Sequence, residues 1–283
     1  MPRQKRPGIP AVPKNSPSSP GKPAVAPSPP DMAGYPGSKG AAGLAERIIR
    51  QMPPHIEYIE AFAGHAAVYR RKAPALKTWL IDANPNVCER LRAFTAGRTG
   101  VDVVCDDFLV WIESYRFSLK PTTLIYVDAP YLRDVRTRLI YDVEFHTKDA
   151  HETLLKKLLT LPCLVIVSHY WHLLYNNTLW DWRRIEIPAM TRGGRRVKNL
   201  WCNFKEPTLL HDPRFAGGDY RERQNIARKK KRWARKFAKM DRRERQAVAV
   251  ELAMCDRLAV EMAMRSVPAE APAQDPAGVT RPR

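Results

Sequence analysis

Asp128, Ala129, Pro130 and Tyr131 follow one another at the end of a short apolar, β-branched run, Thr122–Val127. A run of that kind reads as a buried parallel strand. Its carboxyl end, where open α/β sheets bind ligands, then carries a carboxylate, a backbone carbonyl held by the following proline, and a flat ring. Such a set can accept hydrogen bonds from an exocyclic amino group and stack on the base that carries it. Three other strand ends carry related chemistry. Glu60-Ala61-Phe62-Ala63-Gly64-His65 leaves its strand through small residues, which let a ligand approach the backbone. Asp82 lies about 20 residues past that turn, where nucleotide-binding folds place the acid that accepts ribose hydroxyls. Asp82-Ala83-Asn84-Pro85 is equally an ordinary helix start, with Asn84 as cap and Pro85 first in the helix. Asp107-Phe108 offers an acceptor for an adenine amino group and a ring to lie against it, or else another helix cap. Four such ends on one sheet edge point to one shared site.

The elements that must hold these residues alternate. Apolar runs predict strands at Ile56–Phe62, Thr78–Asp82, Val101–Cys105, Thr122–Asp128, Leu164–Ser168, Arg184–Ala189 and Lys198–Phe204. Helices are predicted over Ser38–Gln51, Ala66–Arg71, Pro85–Ala96, Leu109–Phe117, Lys148–Leu159 and Trp171–Trp180. This is the pattern of an α/β fold, a seven-stranded and largely parallel sheet covered on both faces. The turn-rich link Met190–Arg196 predicts a terminal antiparallel hairpin.

Around this domain, residues 34–204, the composition shifts. Residues 1–33 hold ten prolines and five basic residues, a disordered, weakly basic tail. Residues 205–219 read as a linker, 220–265 as a basic helical extension, and 266–283 as a second tail. Between 221 and 245 there are 13 Lys or Arg against three acids, with Ile226, Trp233, Phe237 and Met240 at roughly helical spacing. Trp233 and Phe237 are expected to pack on the core, and a more apolar helix near 244–264 to dock on the domain or on another copy. The net charge of +19 favours a polyanionic partner, nucleic acid before a membrane surface. No apolar run is long enough to span a bilayer, and no signal-peptide pattern opens the chain. The five scattered cysteines read as small core residues of a reduced, cytoplasmic protein. His169 and His172 read as core or surface histidines, so no metal site is expected.

In order along the chain, Tyr35-Pro36-Gly37-Ser38-Lys39, Glu60-Ala61-Phe62-Ala63-Gly64, Asp82, Asp107-Phe108 and Asp128-Ala129-Pro130-Tyr131 resemble the motifs of the DNA adenine methyltransferase family (Dam-like, D12). The resemblance runs from about Tyr35 to Phe204. It implies a Rossmann-like S-adenosylmethionine-dependent methyltransferase fold, with S-adenosyl-L-methionine as cofactor. The implied reaction is methyl transfer to N6 of adenine in double-stranded DNA, the target base flipped out. Carried over, Tyr35, Lys39, Phe62, Gly64 and Asp82 line the cofactor pocket, and Asp107 and Phe108 hold its adenine. Asp128 and the Ala129 carbonyl accept from the target amino group, Pro130 sets the turn, and Tyr131 stacks on the base. Arg133, Arg136, Arg138, Arg192, Arg195 and Arg196 would meet phosphates.

The chain departs from the family in three places. Ala129 stands where proline is usual, and Ser38 and His65 follow the two motif glycines where the family has Gly-Gly. Only Leu109–Leu124 separates the third motif from the catalytic one, where the family carries its target-recognition insert. Short or relaxed sequence specificity follows, with Lys229, Lys230, Lys231 and Arg232 supplying phosphate contacts instead. The same residues also serve methyl transfer to cytosine N4 or to adenine in RNA, and an inactive fold of this kind would still bind nucleic acid. The compact core and basic appendage suggest a phage or mobile-element enzyme linked to restriction-modification, acting in a bacterial or phage-infected cell.

Overall fold

In the computed structural model, which describes residues 43–132, 147–191 and 194–266, the strands are β1 (Glu57–Ala61), β2 (Lys77–Asp82), β3 (Val101–Cys105), β4 (Thr123–Val127), β5 (Leu164–Tyr170), β6 (Arg183–Thr191) and β7 (Gly194–Cys202). They form one sheet in the order β3-β2-β1-β4-β5-β7-β6. The first five are parallel, and β7 runs antiparallel between β5 and β6. This is the predicted seven-stranded, mostly parallel sheet with its terminal antiparallel hairpin. The hairpin is tighter than expected, because pairing continues to Thr191 opposite Gly194.

Alternation along each strand divides the core. Ile59, Ile81, Ile125, Val127, Val167 and Trp201 face α3 (Phe108–Tyr115), α4 (Lys148–Leu159) and α5 (Leu173–Thr178). Tyr58, Leu80, Tyr126, Ile166 and Leu200 face α1 (Leu44–Ile49) and α2 (Pro85–Thr95). β4 is buried at all five positions, as a central strand covered on both faces must be. β6 is the edge, and it carries Pro188 and the charged Arg183, Arg184 and Glu186, residues that discourage further pairing.

The expected helix at Ala66–Arg71 is instead a series of turns. Phe62, Gly64 and Ala66 take positive φ of 56°, 52° and 48°, which a right-handed helix cannot include. The hydrogen bond that would start the helix is also intercepted at both ends. Tyr69 N–H donates to Glu60 Oε2 at 2.9 Å, and the His65 carbonyl accepts from Arg70 Nε at 2.7 Å.

The stretch expected as a plain linker is sewn into the domain. His211 and Asp212 are 5% and 1% exposed. The His211 ring stacks on His55 at 3.6 Å, its Nδ1 accepts from His55 N–H, and its Nε2 faces the Ala73 and Pro74 carbonyls at 3.1 and 3.2 Å. Asp212 accepts from Ala73 N–H at 2.8 Å and forms two bonds with the Arg214 side chain. Lys72 is buried beside them, its Nζ 4.3 Å from the Tyr58 ring centre, and burial lowers its pKa to about 7.

Beyond this staple the expected second helix is two, giving α6 (Tyr220–Lys239), α7 (Arg242–Cys255) and α8 (Arg257–Ser266). Neither α6 nor α7 has a buried residue. Trp233 and Phe237 are 56% and 37% exposed, and Leu252 and Leu258 are exposed too, so the expected docking on the core does not occur. Cys88, Cys163 and Cys202 are buried as predicted, whereas Cys105 and Cys255 are exposed. Among the described residues no helix is long and apolar enough to cross a membrane.

Burial lowers the His211 pKa to about 4, and lowers that of His55 as well. The unfolded value is near 6.5, so between the two pH values the unfolded chain binds more protons and stability falls as pH drops. Thermal melts should therefore shift downward between pH 7 and pH 4, and His211→Asn should flatten that dependence while lowering the melting temperature at neutral pH. Asp212→Ala should cost about 2–3 kcal/mol in urea denaturation, since it strands the buried Ala73 N–H.

Candidate active site

The register lines the predicted residues along one edge. Ala61 lies opposite both Ile81 and Val127, and Asp82 opposite Cys105, so β1, β2, β3 and β4 finish at one level. Asp106-Asp107 after β3, Asp82 at the end of β2, the turn after β1 and Asp128 after β4 therefore succeed one another along the carboxyl edge.

The β1 turn and Asp82 are tied together. Asp82 Oδ2 accepts from Gly64 N–H at 2.8 Å and Oδ1 from Asn84 N–H at 2.9 Å. Burial raises the Asp82 pKa above the ordinary carboxyl value, and these two N–H bonds pull it partway back. Asn84 caps α2 with Pro85 behind it, as the helix-start reading has it. A Cβ built on Gly64 would meet nothing nearer than the Phe62 carbonyl oxygen at 4.0 Å, so the outer face of the turn is open. Left-handed Phe62 and Ala66 store backbone strain, which gathers at ligand-binding turns.

At the end of β3, Asp107 Oδ1 caps α3, accepting from Leu109 and Val110 N–H at 2.6 and 3.3 Å. The Phe108 ring is 2% exposed and packs against Phe62 at 5.9 Å, so it is core and not an open stacking face. What Phe108 presents at this edge is the first backbone N–H of α3, which no helical carbonyl reaches.

The β4 turn is held from two sides by residues that the sequence reading did not single out for chemistry. Lys198, on β7, is 3% exposed in its side chain, and its Nζ lies 2.8 Å from Asp128 Oδ1. The same ammonium bonds the Tyr131 hydroxyl and sits 4.8 Å from that ring's centre. On the other side, His169 Nε2 accepts from Leu132 N–H at 3.3 Å, while Nδ1 lies 2.7 Å from the Tyr170 carbonyl. Burial pushes the His169 pKa down to about 3, so the ring is neutral and keeps one acceptor nitrogen. It stacks on Tyr175 at 4.2 Å and 11°, and Tyr175 OH meets His151 Nδ1 at 2.6 Å. Tyr131 touches the His169 ring edge-on at 5.2 Å and the Tyr170 ring at 4.7 Å. Ala129 is 3% exposed. His172 caps α5 through Nδ1.

Arg196 lies 5.4 Å from the Tyr170 ring centre, beside this turn. Lys229, Lys230, Lys231 and Arg232 are exposed on α6. Tyr35, Lys39, Arg133, Arg136, Arg138 and Arg192 lie outside the described residues, as does the side chain of Arg195.

No family model and no curated protein matches the chain. Solved structures of similar fold include the 23S rRNA methyltransferase ErmE, at 15% identity and TM-score 0.37 over 78% of this chain and 94% of that one. A SAM-dependent methyltransferase from Agrobacterium tumefaciens matches at 10% identity and TM-score 0.39, over 56% and 60%. At such low similarity the fold rests on the strand order itself.

Removing one partner of a buried ion pair leaves the other charge uncompensated, at about 3–5 kcal/mol. Asp128 is 18% exposed, so Lys198→Met should fall at the lower end of that range in urea denaturation. Adding Asp128→Asn should recover part of the loss, a positive coupling in the double-mutant cycle.

Proposed function

We propose that this chain transfers a methyl group from S-adenosyl-L-methionine to N6 of adenine in DNA, with short or relaxed sequence preference. The observation that carries this reading is the Asp128–Tyr131 turn, clamped by Lys198 and His169 at the end of the acid-bearing sheet edge. The residues of that edge fit an adenosyl group. Gly64 leaves the β1 turn open to close approach. Each Asp82 oxygen keeps a lone pair beyond the N–H bond it accepts, enough for ribose hydroxyls. Asp107 and the Phe108 N–H offer an acceptor and a donor to a purine edge. When bound, S-adenosyl-L-methionine supplies an electrophilic methyl on a sulfonium.

The chain's own residues then address a weak nucleophile. The lone pair of N6 is delocalised into the purine ring. Asp128 and the Ala129 carbonyl accept hydrogen bonds from the amino group, localise that pair and stabilise the positive charge that develops on nitrogen until one proton is lost to water. Tyr131, gripped by the Lys198 ammonium, holds the base by stacking. Its position is fixed before substrate arrives, so little reorganisation is left for the reaction.

Lys229–Arg232 and the rest of α6 contact phosphates, which position a substrate without reading its sequence. The second reading, methyl transfer to adenine in RNA, uses the same groups. Labelled S-adenosyl-L-methionine incubated with DNA and with RNA, followed by nucleoside analysis, separates them.

Asp128→Ala should lower methyl transfer by about 10²–10³, with affinity for S-adenosyl-L-methionine within a few-fold by calorimetry. Near wild-type turnover in that variant would refute the assignment. Ending the chain after Gly218 removes α6 and spares the His211–Asp212 staple. That variant should bind DNA more weakly and with a flatter dependence of log K on log salt, measured by titration across salt concentrations.

A further inference from the structure

Trp171 follows β5 directly, one residue past the Tyr170–Lys198 pair, and is 53% exposed. Its backbone is fixed on both sides. Tyr170 is paired with β7, and the His172 carbonyl accepts from Asn176 N–H at 3.0 Å while its ring caps α5. Leu173 beside it is 59% exposed. A large ring is thus held in water, on a rigid backbone, next to the residue whose ring touches Tyr131. Arg196 stands over the Tyr170 ring, in a chain of net charge +19.

We infer that the carboxyl end of β5 is a stacking platform for an unpaired nucleic-acid strand, with Trp171 taking a base next to the target. Aromatic faces interleaved with cations are how proteins track single strands. The occupant is an unpaired strand because a base inside a duplex already has both faces covered. Arg196 meets the phosphate between the two bases. The substrate of the proposed reaction is accordingly an adenine in a single-stranded or locally opened segment. This rests on Tyr131 as the base-binding ring.

The test is binding of a labelled oligonucleotide of about 12 nucleotides, single-stranded or fully paired, by fluorescence anisotropy without S-adenosyl-L-methionine. DNA and RNA versions of the strand distinguish the sugar. Trp171→Ala should weaken single-strand binding about tenfold, leaving duplex binding and the salt slope unchanged, because one stacked base and no charge is lost. Trp171→Phe, which keeps a ring, should retain most of the affinity. Trp180→Ala is the control, since that exposed ring lies beyond α5, next to the start of β6 at the other end of the sheet. Unchanged single-strand affinity in Trp171→Ala, equal losses on single strand and duplex, equal losses in Trp180→Ala, or no oligonucleotide binding at all would overturn the inference. Trp171-dependent binding without methyl incorporation would refute the proposed reaction alone. Methylation indifferent to Trp171→Ala would refute the platform alone.

Discussion

The ion pair between Lys198 and Asp128 is the constraint from which the rest of this edge follows. A lysine side chain 3% exposed must have its charge answered inside the protein. Here the answer is a carboxylate, a tyrosine hydroxyl and a ring face, all belonging to the turn after β4. The pair crosses from β7 to β4 over the end of β5, so it exists only if β7 lies between β5 and β6. It also carries a tension. A nearby ammonium opposes the positive charge that methyl transfer places on a base nitrogen, yet it fixes the carboxylate that stabilises that charge. Orientation is the larger effect when the acceptor would otherwise swing in solvent.

The same logic of answered polar groups extends along the sheet. His169 stays neutral because it is buried, and neutrality leaves the lone pair that receives Leu132 N–H. Buried Glu60 takes the N–H of Tyr69 and the hydroxyl of Tyr58, which turns a would-be helix into the open, strained turn facing Asp82. Farther from the edge, His211 and Asp212 satisfy the backbone at Ala73 and Pro74 and close the domain on its α1 side. Each polar cluster fixes a loop that apolar packing alone would leave free.

The C-terminal helices obey a different rule. α6 has ten basic side chains to one acid and no buried residue, the composition of a solvated helix. Asp219, and Asp241 with Glu244, cap α6 and α7 locally, so these helices form without burial. Exposed Trp233 and Phe237 thus stand among cations, an arrangement suited to a polyanion.

Local periodicity made most of the fold legible. β3 and α4 occupy the very residues that pattern predicts, and the other strands differ only at their ends, because alternation and capping act over a few residues. Asp82, Asp107 and Asp128 were visible for the same reason, each closing an apolar run. Lys198 and His169 were not, since a lysine or histidine in a strand looks the same in sequence whether it faces water or a buried partner. Nor did composition mark His211 and Asp212 within a Pro/Gly stretch. Sequence by itself determined which segments are strands and which acids end them. Tertiary structure decided which side chains meet, for Lys198 and Asp128 are 70 residues apart and only the order of strands in the sheet brings their charges within reach.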